Sequence, residues 1–182
     1  MKAKSIAIIG MKHSGKSTLA DMLAWEVKTR NLDLDALIEE EYRSDGLVSC
    51  REIYSQHGKE YFEKLECRAA KALAKEMQKD FLIASLGGGT IENECAFEAL
   101  AKIATFVYIV VDIDILYKRI MKGGLPAFLS PDHPYEDFTD LYNRRSPLMS
   151  EKADIIVELQ NDPIEDSYGK LAETLKEHGY AW

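Results

Sequence analysis

The chain has 182 residues, of which 46% are hydrophobic and 30% are charged. This length suits a single globular domain, and the balance argues against a disordered chain. The 31 acidic residues outnumber the 23 Lys and Arg residues, which gives a net charge of −8. Such a surface repels nucleic-acid phosphates, so we expect no nucleic-acid partner, although a local basic pocket for one anionic ligand is compatible with it.

The sequence also bears on compartment and membrane association. No apolar run reaches the roughly 18 residues that a transmembrane helix needs, so we expect no membrane partner. The apolar start of the chain stops at Gly10 and Lys12 without a cleavage site, and we expect no signal peptide. Cys50, Cys67 and Cys95 lack metal-binding spacing and are interpreted as reduced thiols of a cytoplasmic protein. The pattern does not give the oligomeric state, and a monomer is the expectation.

The predicted elements alternate between strands and helices along the chain. Apolar strands are predicted at 5–10, 32–34, 81–86, 104–111 and 155–159, and helices at 16–29, 36–42, 59–79, 113–121, 139–152 and 164–178. A capping box formed by Ser49 and Glu52 opens a further helix that Gly58 closes, and Pro147 predicts a kink or break. The segment 123–138, rich in glycine and proline, is predicted to be a loop or lid. Uniformly apolar strands separated by helices indicate a parallel sheet covered on both faces.

The segment between the first strand and the first helix carries the clearest motif. It reads Gly10-Met-Lys-His-Ser-Gly15-Lys16-Ser17 and fits G-x-x-x-x-G-K-[ST]. In this pattern, backbone N–H groups at a helix N-terminus cradle phosphates, the lysine reaches the β- and γ-phosphates, and the serine hydroxyl suits Mg²⁺. We predict a nucleotide site with Lys16 catalytic and Ser17 a magnesium ligand, formed by Gly10, His13, Ser14, Gly15, Lys16, Ser17 and Thr18. His13 is expected to be a spectator rather than a general base, and Thr18 either contacts a phosphate or caps the helix.

Two aspartates lie at the end of the second predicted strand. Asp33 and Asp35 are two residues apart, and strand geometry is expected to send their side chains in different directions. The carboxyl ends of parallel strands face the ligand crevice. Asp33 is therefore predicted to hold Mg²⁺ through water and Asp35 to accept the proton of a substrate hydroxyl. The alternative is that one of them caps the helix that begins at Ala36.

Two further segments suit ligand binding. Gly87, Gly88 and Gly89 follow the third strand, where they permit close backbone approach and offer N–H groups to ligand oxygens. The alternative for them is a tight strand-to-helix turn. Arg144 and Arg145 precede a proline, and arginine suits phosphate or carboxylate recognition because its fork donates two hydrogen bonds. The alternative is an ordinary surface pair.

Taken in chain order, these segments resemble the shikimate kinases, a family of nucleoside-monophosphate-kinase-like P-loop proteins. The resemblance spans nearly the whole chain and rests on GMKHSGKST, LDLDALIEE, the strand ending in SLGGG, RRSPLM and ADIIVEL. It implies a three-layer α/β/α P-loop kinase fold with a five-stranded parallel sheet in the order 2-3-1-4-5 and a single domain over residues 1–182. It also implies a mobile lid at about 123–138 and a substrate-binding helical region at about 33–62.

The resemblance also implies an activity. It implies ATP-dependent transfer of the γ-phosphate to a hydroxyl group of shikimate or a similar small metabolite, with Mg²⁺, in aromatic amino acid biosynthesis. Asp33 matches the family's metal-associated aspartate and Asp35 its substrate-binding, catalytic aspartate. Arg145 matches the arginine that binds the substrate carboxylate. Gly87, Gly88 and Gly89 complete the substrate-binding set.

Three positions depart from the family pattern. Glu63 stands where the family has an arginine, Leu125 replaces a lid arginine, and the segment 160–163 offers no arginine to an adenine. Two unit charges 4 Å apart interact by roughly 4 kcal/mol at an effective dielectric near 20, so Glu63 would repel a substrate carboxylate. Loss of a lid arginine costs on the order of a thousandfold in phosphoryl transfer.

Cations elsewhere in the chain can offset these departures. Lys12 or Lys64 turned inward would serve the carboxylate, and Lys118, Arg119 or Lys122 would serve the lid. Three hypotheses follow. The chain is a shikimate kinase with compensating residues, a sibling kinase for another hydroxylated metabolite whose amine or hydroxyls suit Glu63, or a nucleotide-binding protein with little transferase activity. Similarity over the whole chain favours the first, while the charges leave the acceptor open.

Overall fold

The structure, a computed structural model, describes residues 4–42, 48–126 and 128–182. Residues 43–47 of the predicted substrate-binding region and residue 127 of the predicted lid lie outside this set, as do residues 1–3. The strands are β1 (Ser5–Gly10), β2 (Asn31–Asp33), β3 (Ile83–Ser85), β4 (Ala104–Val111) and β5 (Ile155–Leu159). The α-helices are α1 (Lys16–Glu26), α2 (Leu34–Tyr42), α3 (Cys50–Lys79), α4 (Glu94–Ala101), α5 (Ile113–Met121), α6 (Pro134–Lys152) and α7 (Ile164–Glu177).

The strands form one parallel sheet in the order β2-β3-β1-β4-β5, which confirms the predicted topology. The central strand β1 is buried along its whole length. It pairs with β3 through Ile8 and Ser85 and with β4 through Gly10 and Ile109. This register brings the ends of β1, β2 and β3 to one edge of the sheet, where the phosphate loop begins.

Helices cover both faces of the sheet. Thr105 of β4 accepts a hydrogen bond of 2.6 Å from the hydroxyl of Tyr180, just beyond α7. Phe106, the next residue, packs against Phe97 of α4 with 4.9 Å between ring centroids. Successive strand residues point to opposite faces, so α7 lies on one face and α4 on the other. Because α1 packs beside α7, the architecture has three layers, as the resemblance implied.

Four elements differ from the sequence-based expectation. The two helices predicted on either side of Gly58 form one kinked helix, α3, because Gly58 has a φ of 79° that interrupts the helical backbone for one residue only. Helix α6 begins at Pro134 rather than at residue 139, so the last part of the predicted lid is helical, and it continues through Pro147. Helix α4 was not predicted, although Asn93 caps it and its apolar residues are helically spaced. Strand β5 alternates between buried and exposed residues, because it lies at the edge of the sheet.

The cysteine interpretation is wrong for two of the three residues. Cys67 of α3 and Cys95 of α4 form a disulfide, with 5.4 Å between their Cα atoms. The packing of α3 against α4 brings them within the usual range for such a bond, which no sequence spacing reveals. Cys50 is a free thiol.

The helices of the described structure bear on the expectation that the chain has no membrane partner. Over residues 4–42, 48–126 and 128–182, none of the helices combines the length and the apolar character that crossing a bilayer requires.

Candidate active site

The phosphate loop turns tightly between β1 and α1. A Cβ added to Gly10 would lie 2.7 Å from Oγ of Ser14 and 3.1 Å from the carbonyl oxygen of Ile109, so a larger residue would open the turn. The loop closes on itself through a hydrogen bond of 3.1 Å from the Ser14 N–H to the Met11 carbonyl. Gly15, the N-cap of α1, supplies no side-chain cap. The first N–H groups of the helix are therefore left for an anion.

The polar side chains of this loop fall into two groups, those that are at least half-buried and those that are exposed. Lys16 is half-buried, and burial lowers its pKa while the charges of Asp35 and Asp33 oppose that shift. Ser14 is buried, and its Oγ has no hydrogen-bond partner among the described residues. Ser17 and Thr18 are exposed on the first turn of α1. A half-buried ammonium and an unpartnered hydroxyl in a helix-terminal loop are suited to phosphate oxygens.

His13 has a structural role through its backbone. Its φ of 65° places it in the left-handed region, and its carbonyl oxygen accepts a hydrogen bond of 3.2 Å from Nη1 of Arg119. Nη2 of the same arginine donates to the Gln160 carbonyl and to Oδ1 of Asn161. Burial and the charge of Lys12 lower the pKa of His13, which favours a neutral ring. Arg119 therefore joins the phosphate loop to the segment before α7.

Asp33 performs two structural tasks at the end of β2. Its Oδ1 accepts hydrogen bonds from the N–H groups of Asp35 (3.0 Å) and Ala36 (3.2 Å), so Asp33 caps α2. Capping by one of the two aspartates was the alternative prediction from the sequence. Its Oδ2 accepts the Ser85 hydroxyl at 2.7 Å. With both oxygens engaged, Asp33 suits a metal ion bound through water, while the Ser17 hydroxyl offers a hard donor for direct contact. The described residues contain no group of three or more His, Cys, Asp or Glu arranged for a metal.

Asp35 lies in the first turn of α2 rather than on the strand, facing the glycine turn after β3. A Cβ on Gly87 would lie 2.7 Å from its Oδ1, so the carboxylate sits where any side chain at position 87 would be. Burial and the charge of Asp33 raise its pKa to about 6, while Lys16 opposes the shift. A carboxylate that is ionised at neutral pH but more basic than usual is suited to accept a proton.

Arg145 lies over the other two glycines of this turn. A Cβ on Gly89 would be 3.1 Å from Nη2 of Arg145, and a Cβ on Gly88 would be 3.4 Å from the carbonyl oxygen of Gly10. The glycine turn therefore separates the phosphate loop from Arg145 by little more than one backbone thickness. Nε of Arg145 donates to Glu92 at 2.7 Å, which leaves its terminal nitrogens near the glycines.

Glu92 holds both arginines of the pair. Arg144 donates to its other oxygen, also at 2.7 Å. Burial favours the protonated acid at Glu92, but the hydrogen bonds and charges of Arg145 and Arg144 prevail and lower its pKa. The sequence did not single out Glu92, because it is more than 50 residues from either arginine.

A cavity of about 600 Å³ opens beside these groups. Its wall includes the cations Arg51, Lys59, Arg144 and Arg145 and the carboxylates Asp35, Glu63, Glu66 and Glu92. Glu63 faces Lys59, with 3.6 Å between Oε1 and Nζ. Lys64 does not turn inward, since it pairs with Glu60 at 2.7 Å outside the cavity. A larger groove of about 820 Å³ between α2 and α3 includes none of the phosphate-loop residues.

A buried polar cluster forms the back of this cavity. Glu66 accepts hydrogen bonds from Thr90 (2.6 Å) and from the side-chain amide of Asn93 (2.8 Å). The same amide donates to the Glu63 carbonyl at 2.9 Å. Burial raises the pKa of Glu66, and the two hydrogen bonds oppose that shift. The cluster fixes α3 against the start of α4, so it sets where Glu63 stands.

Comparisons with known proteins agree with this geometry. The family model described as shikimate kinase matches residues 12–176. A shikimate kinase of Chlamydia pneumoniae is 34% identical over 152 residues, which cover 84% of each chain. One of Chloroherpeton thalassium is 28% identical over 186 residues, covering 97% of this chain and 95% of that one.

Solved structures share the fold. A shikimate kinase from Acinetobacter baumannii in complex with shikimate superposes with a TM-score of 0.85 at 22% identity, covering 99% of this chain and 97% of that one. A shikimate kinase from Bacteroides thetaiotaomicron gives a TM-score of 0.77 at 24% identity, covering 95% of this chain and 98% of that one.

Proposed function

We propose, from the premise that this chain belongs to the shikimate kinase family and is an ATP-dependent phosphotransferase acting on a hydroxyl group, that its acceptor is shikimate. The observation that carries the proposal is the glycine turn at residues 87–89. One side of this turn meets the Gly10 carbonyl of the phosphate loop, and Asp35 and Arg145 meet the same turn. A nucleotide and an acidic, hydroxylated acceptor would therefore meet across a single backbone layer.

The nucleotide half uses the phosphate loop. The amides that follow Gly10, the Ser14 hydroxyl and the Lys16 ammonium bind the phosphates of ATP, with Thr18 beside them. Ser17 would hold Mg²⁺ through its hydroxyl, and Asp33 would hold it through water. When bound, the ion neutralises charge on the transferring phosphate.

The acceptor half positions one hydroxyl. Asp35 accepts the hydroxyl proton while the oxygen attacks the γ-phosphorus, so the proton ends on Asp35 and ADP leaves. Gly87 allows the carboxylate to approach, and the N–H groups of the glycine turn orient the ring substituents. Catalysis is then mainly positioning and charge stabilisation.

The substrate carboxylate is bound by Arg145 with support from a different set of cations than the family uses. Glu63 would repel the carboxylate, but its charge is partly offset by Lys59, whose Nζ lies 3.6 Å from Oε1 of Glu63. Arg51 lines the same cavity and has no ion-pair partner within the described part of the chain. The four cations of the wall balance its four carboxylates, so the cavity need not reject an anion.

The remaining elements complete the proposal. The non-helical segment before α6 acts as a lid that excludes water during transfer. The chain works as a monomer in the cytoplasm, where ATP and Mg²⁺ are supplied. The sulfurs of Cys67 and Cys95 line neither the cavity nor the phosphate loop, so the activity does not depend on their disulfide.

A coupled ADP-release assay tests the proposal. With MgATP, we expect turnover on shikimate, a higher KM for its methyl ester, and little turnover on sugar acids and amino alcohols. Calorimetric titration of shikimate, with and without ADP, measures binding separately. Turnover confined to an amino alcohol would replace the acceptor, and tight ATP binding without turnover on any compound would favour a nucleotide-binding role.

A further inference from the structure

In the transition state of phosphoryl transfer, negative charge is spread over the three equatorial oxygens of the transferring group. A second cation, in addition to the phosphate-binding lysine, raises kcat by on the order of a thousandfold or more in such reactions. Most cations near the cleft of the described structure are already committed. Arg119 donates hydrogen bonds to His13, Gln160 and Asn161. Arg144 and Arg145 form ion pairs with Glu92, and Lys59 forms one with Glu63. Leu125, at the position of the family's lid arginine, is an exposed apolar side chain.

Two cations near the cleft have no ion pair among the described residues: Arg51, which lines the acceptor cavity, and Lys12, which belongs to the phosphate loop itself. Lys12 is the second residue after Gly10, and its backbone nitrogen would lie 3.7 Å from a Cβ on Gly88, where the phosphate loop meets the glycine turn. Its side chain is exposed, and no ion pair engages it within residues 4–42, 48–126 and 128–182. Lys12 is also near enough to Lys16 and His13 to act on the protonation of both.

The segment before α6 reaches Lys12 with an aromatic ring. Nζ of Lys12 lies 5.5 Å from the centroid of the Phe128 ring, a cation–π contact. This contact holds the ammonium at the mouth of the phosphate loop without neutralising its charge. The segment that would carry a lid arginine therefore presents a ring to a lysine on the loop instead.

We propose that Lys12 is a further catalytic residue, whose ammonium binds the γ-phosphate oxygens from the acceptor side, and that Phe128 positions it. The inference rests on the proposed kinase function. The bond between the γ-phosphorus and the β–γ bridging oxygen breaks, the bond to the acceptor oxygen forms, and the proton goes to Asp35. A lysine suits this task because its ammonium is a compact charge with three donors.

Lys12→Ala tests the proposal through kcat for shikimate phosphorylation, with the Kd for ATP measured by equilibrium dialysis. We expect kcat to fall on the order of 100-fold or more while the Kd for ATP changes only a few-fold. Lys12→Arg should keep most of the activity. Lys71→Ala, which removes an exposed lysine of α3, is the matched control and should leave both quantities unchanged.

A rescue and a double-mutant cycle separate catalysis from a structural effect. Leu125→Arg should restore much of the kcat lost by Lys12→Ala but add little to the wild-type chain. Phe128→Ala should lower kcat less than Lys12→Ala does, and should add little to it in the double variant, because both changes remove one interaction. Wild-type kcat in Lys12→Ala would overturn the inference. An inactive wild-type chain would instead overturn the proposed function.

Discussion

The two walls of the cleft are built in different ways. The phosphate wall comes from consecutive residues between β1 and α1, and its shape follows from backbone geometry at Gly10 and Gly15. The acceptor wall is assembled from α2, α3, the turn after β3 and α6, whose members lie far apart in the chain. In the proposed function, the first wall binds the phosphates of ATP and the second must select one acceptor.

The two walls also differ in how far their charged and polar groups are already paired. On the phosphate wall, Lys16 faces Asp35 and Asp33, and the hydroxyl of Ser14 has no partner in the described structure. On the acceptor wall, three of the four cations are already paired, Lys59 with Glu63 and both Arg144 and Arg145 with Glu92. The phosphate wall is therefore prepared for an anion, whereas binding to the acceptor wall requires a balance among existing pairs.

The largest effect is expected on the phosphate wall. Lys16→Ala should lower kcat at least a thousandfold, because it removes the ammonium that follows charge onto the γ-phosphate. The fold should survive, since Lys16 lies in a surface loop and first helical turn. The coupled assay and thermal unfolding measure the two outcomes, with Lys102→Ala as the control. An active Lys16→Ala enzyme would contradict the mechanism.

Asp35→Asn tests the point where the two walls meet. We expect kcat to fall by a factor of about 100 to 10,000, because the amide cannot accept the hydroxyl proton. Affinity for ATP should change far less, since Asp35 faces the acceptor. Kinetics at saturating shikimate separate the two quantities, and a variant that loses ATP binding but keeps kcat would assign Asp35 to the phosphate wall.

The same substitution should stabilise the protein. The pKa of Asp35 is raised from 3.8 to about 6, chiefly by burial. The folded state therefore gains from protonating Asp35 below its unfolded pKa, and this gain is lost as the pH rises through about 6. Asp35→Asn should become more stable than wild type between pH 4 and pH 7, by up to about 3 kcal/mol. A stability difference that does not vary over this interval, in urea unfolding at each pH, would show that Asp35 is not perturbed.

Gly87→Ala is expected to cause the next largest loss of kcat. Its Cβ would lie 2.7 Å from Oδ1 of Asp35, so the carboxylate must move, and kcat should fall roughly 10- to 100-fold. Gly169→Ala is the matched control, because nothing lies within 4 Å of its Cβ and alanine favours the α7 helix. The control should keep full activity and gain up to about 1 kcal/mol of stability. Equal activity in the two variants would mean that Asp35 does not depend on this contact.

Glu63 sharpens the contrast in charge. Glu63→Gln should lower the KM for shikimate by about tenfold, because it removes a repulsion that Lys59 only partly offsets. Glu63→Arg should lower it further, while Glu60→Gln, a control on the same helix outside the cavity, should not change it. If Glu63→Gln raised the KM instead, Glu63 would be a substrate ligand, and an acceptor with a hydroxyl or amine at that point would be favoured.

The contrast between the walls also explains how much the sequence could predict. The strands, the phosphate loop and the position of Asp33 follow from local patterns, because a buried strand, a glycine loop and a helix cap each lie within a few residues. The order of the strands in the sheet was predicted only through the family resemblance. The Lys59–Glu63 pair was also within reach, since the two residues are four apart on one helix. The contact of Glu92 with both arginines and the cluster around Glu66 depend on how α3, α4 and α6 pack, and no local pattern encodes them.

The cysteines give the smallest expected effect and the sharpest test of such non-local pairing. Purified without reductant and denatured, the chain should show one reactive thiol, Cys50, and after reduction it should show three. The disulfide closes a loop between residues 28 apart, for which loop entropy gives roughly 3 to 4 kcal/mol of stabilisation. Because Cys95 is exposed, a reductant can reach the disulfide without unfolding the chain. Reduction should then lower the free energy of unfolding by up to that amount and leave kcat almost unchanged. Three reactive thiols before reduction would restore the interpretation based on sequence alone.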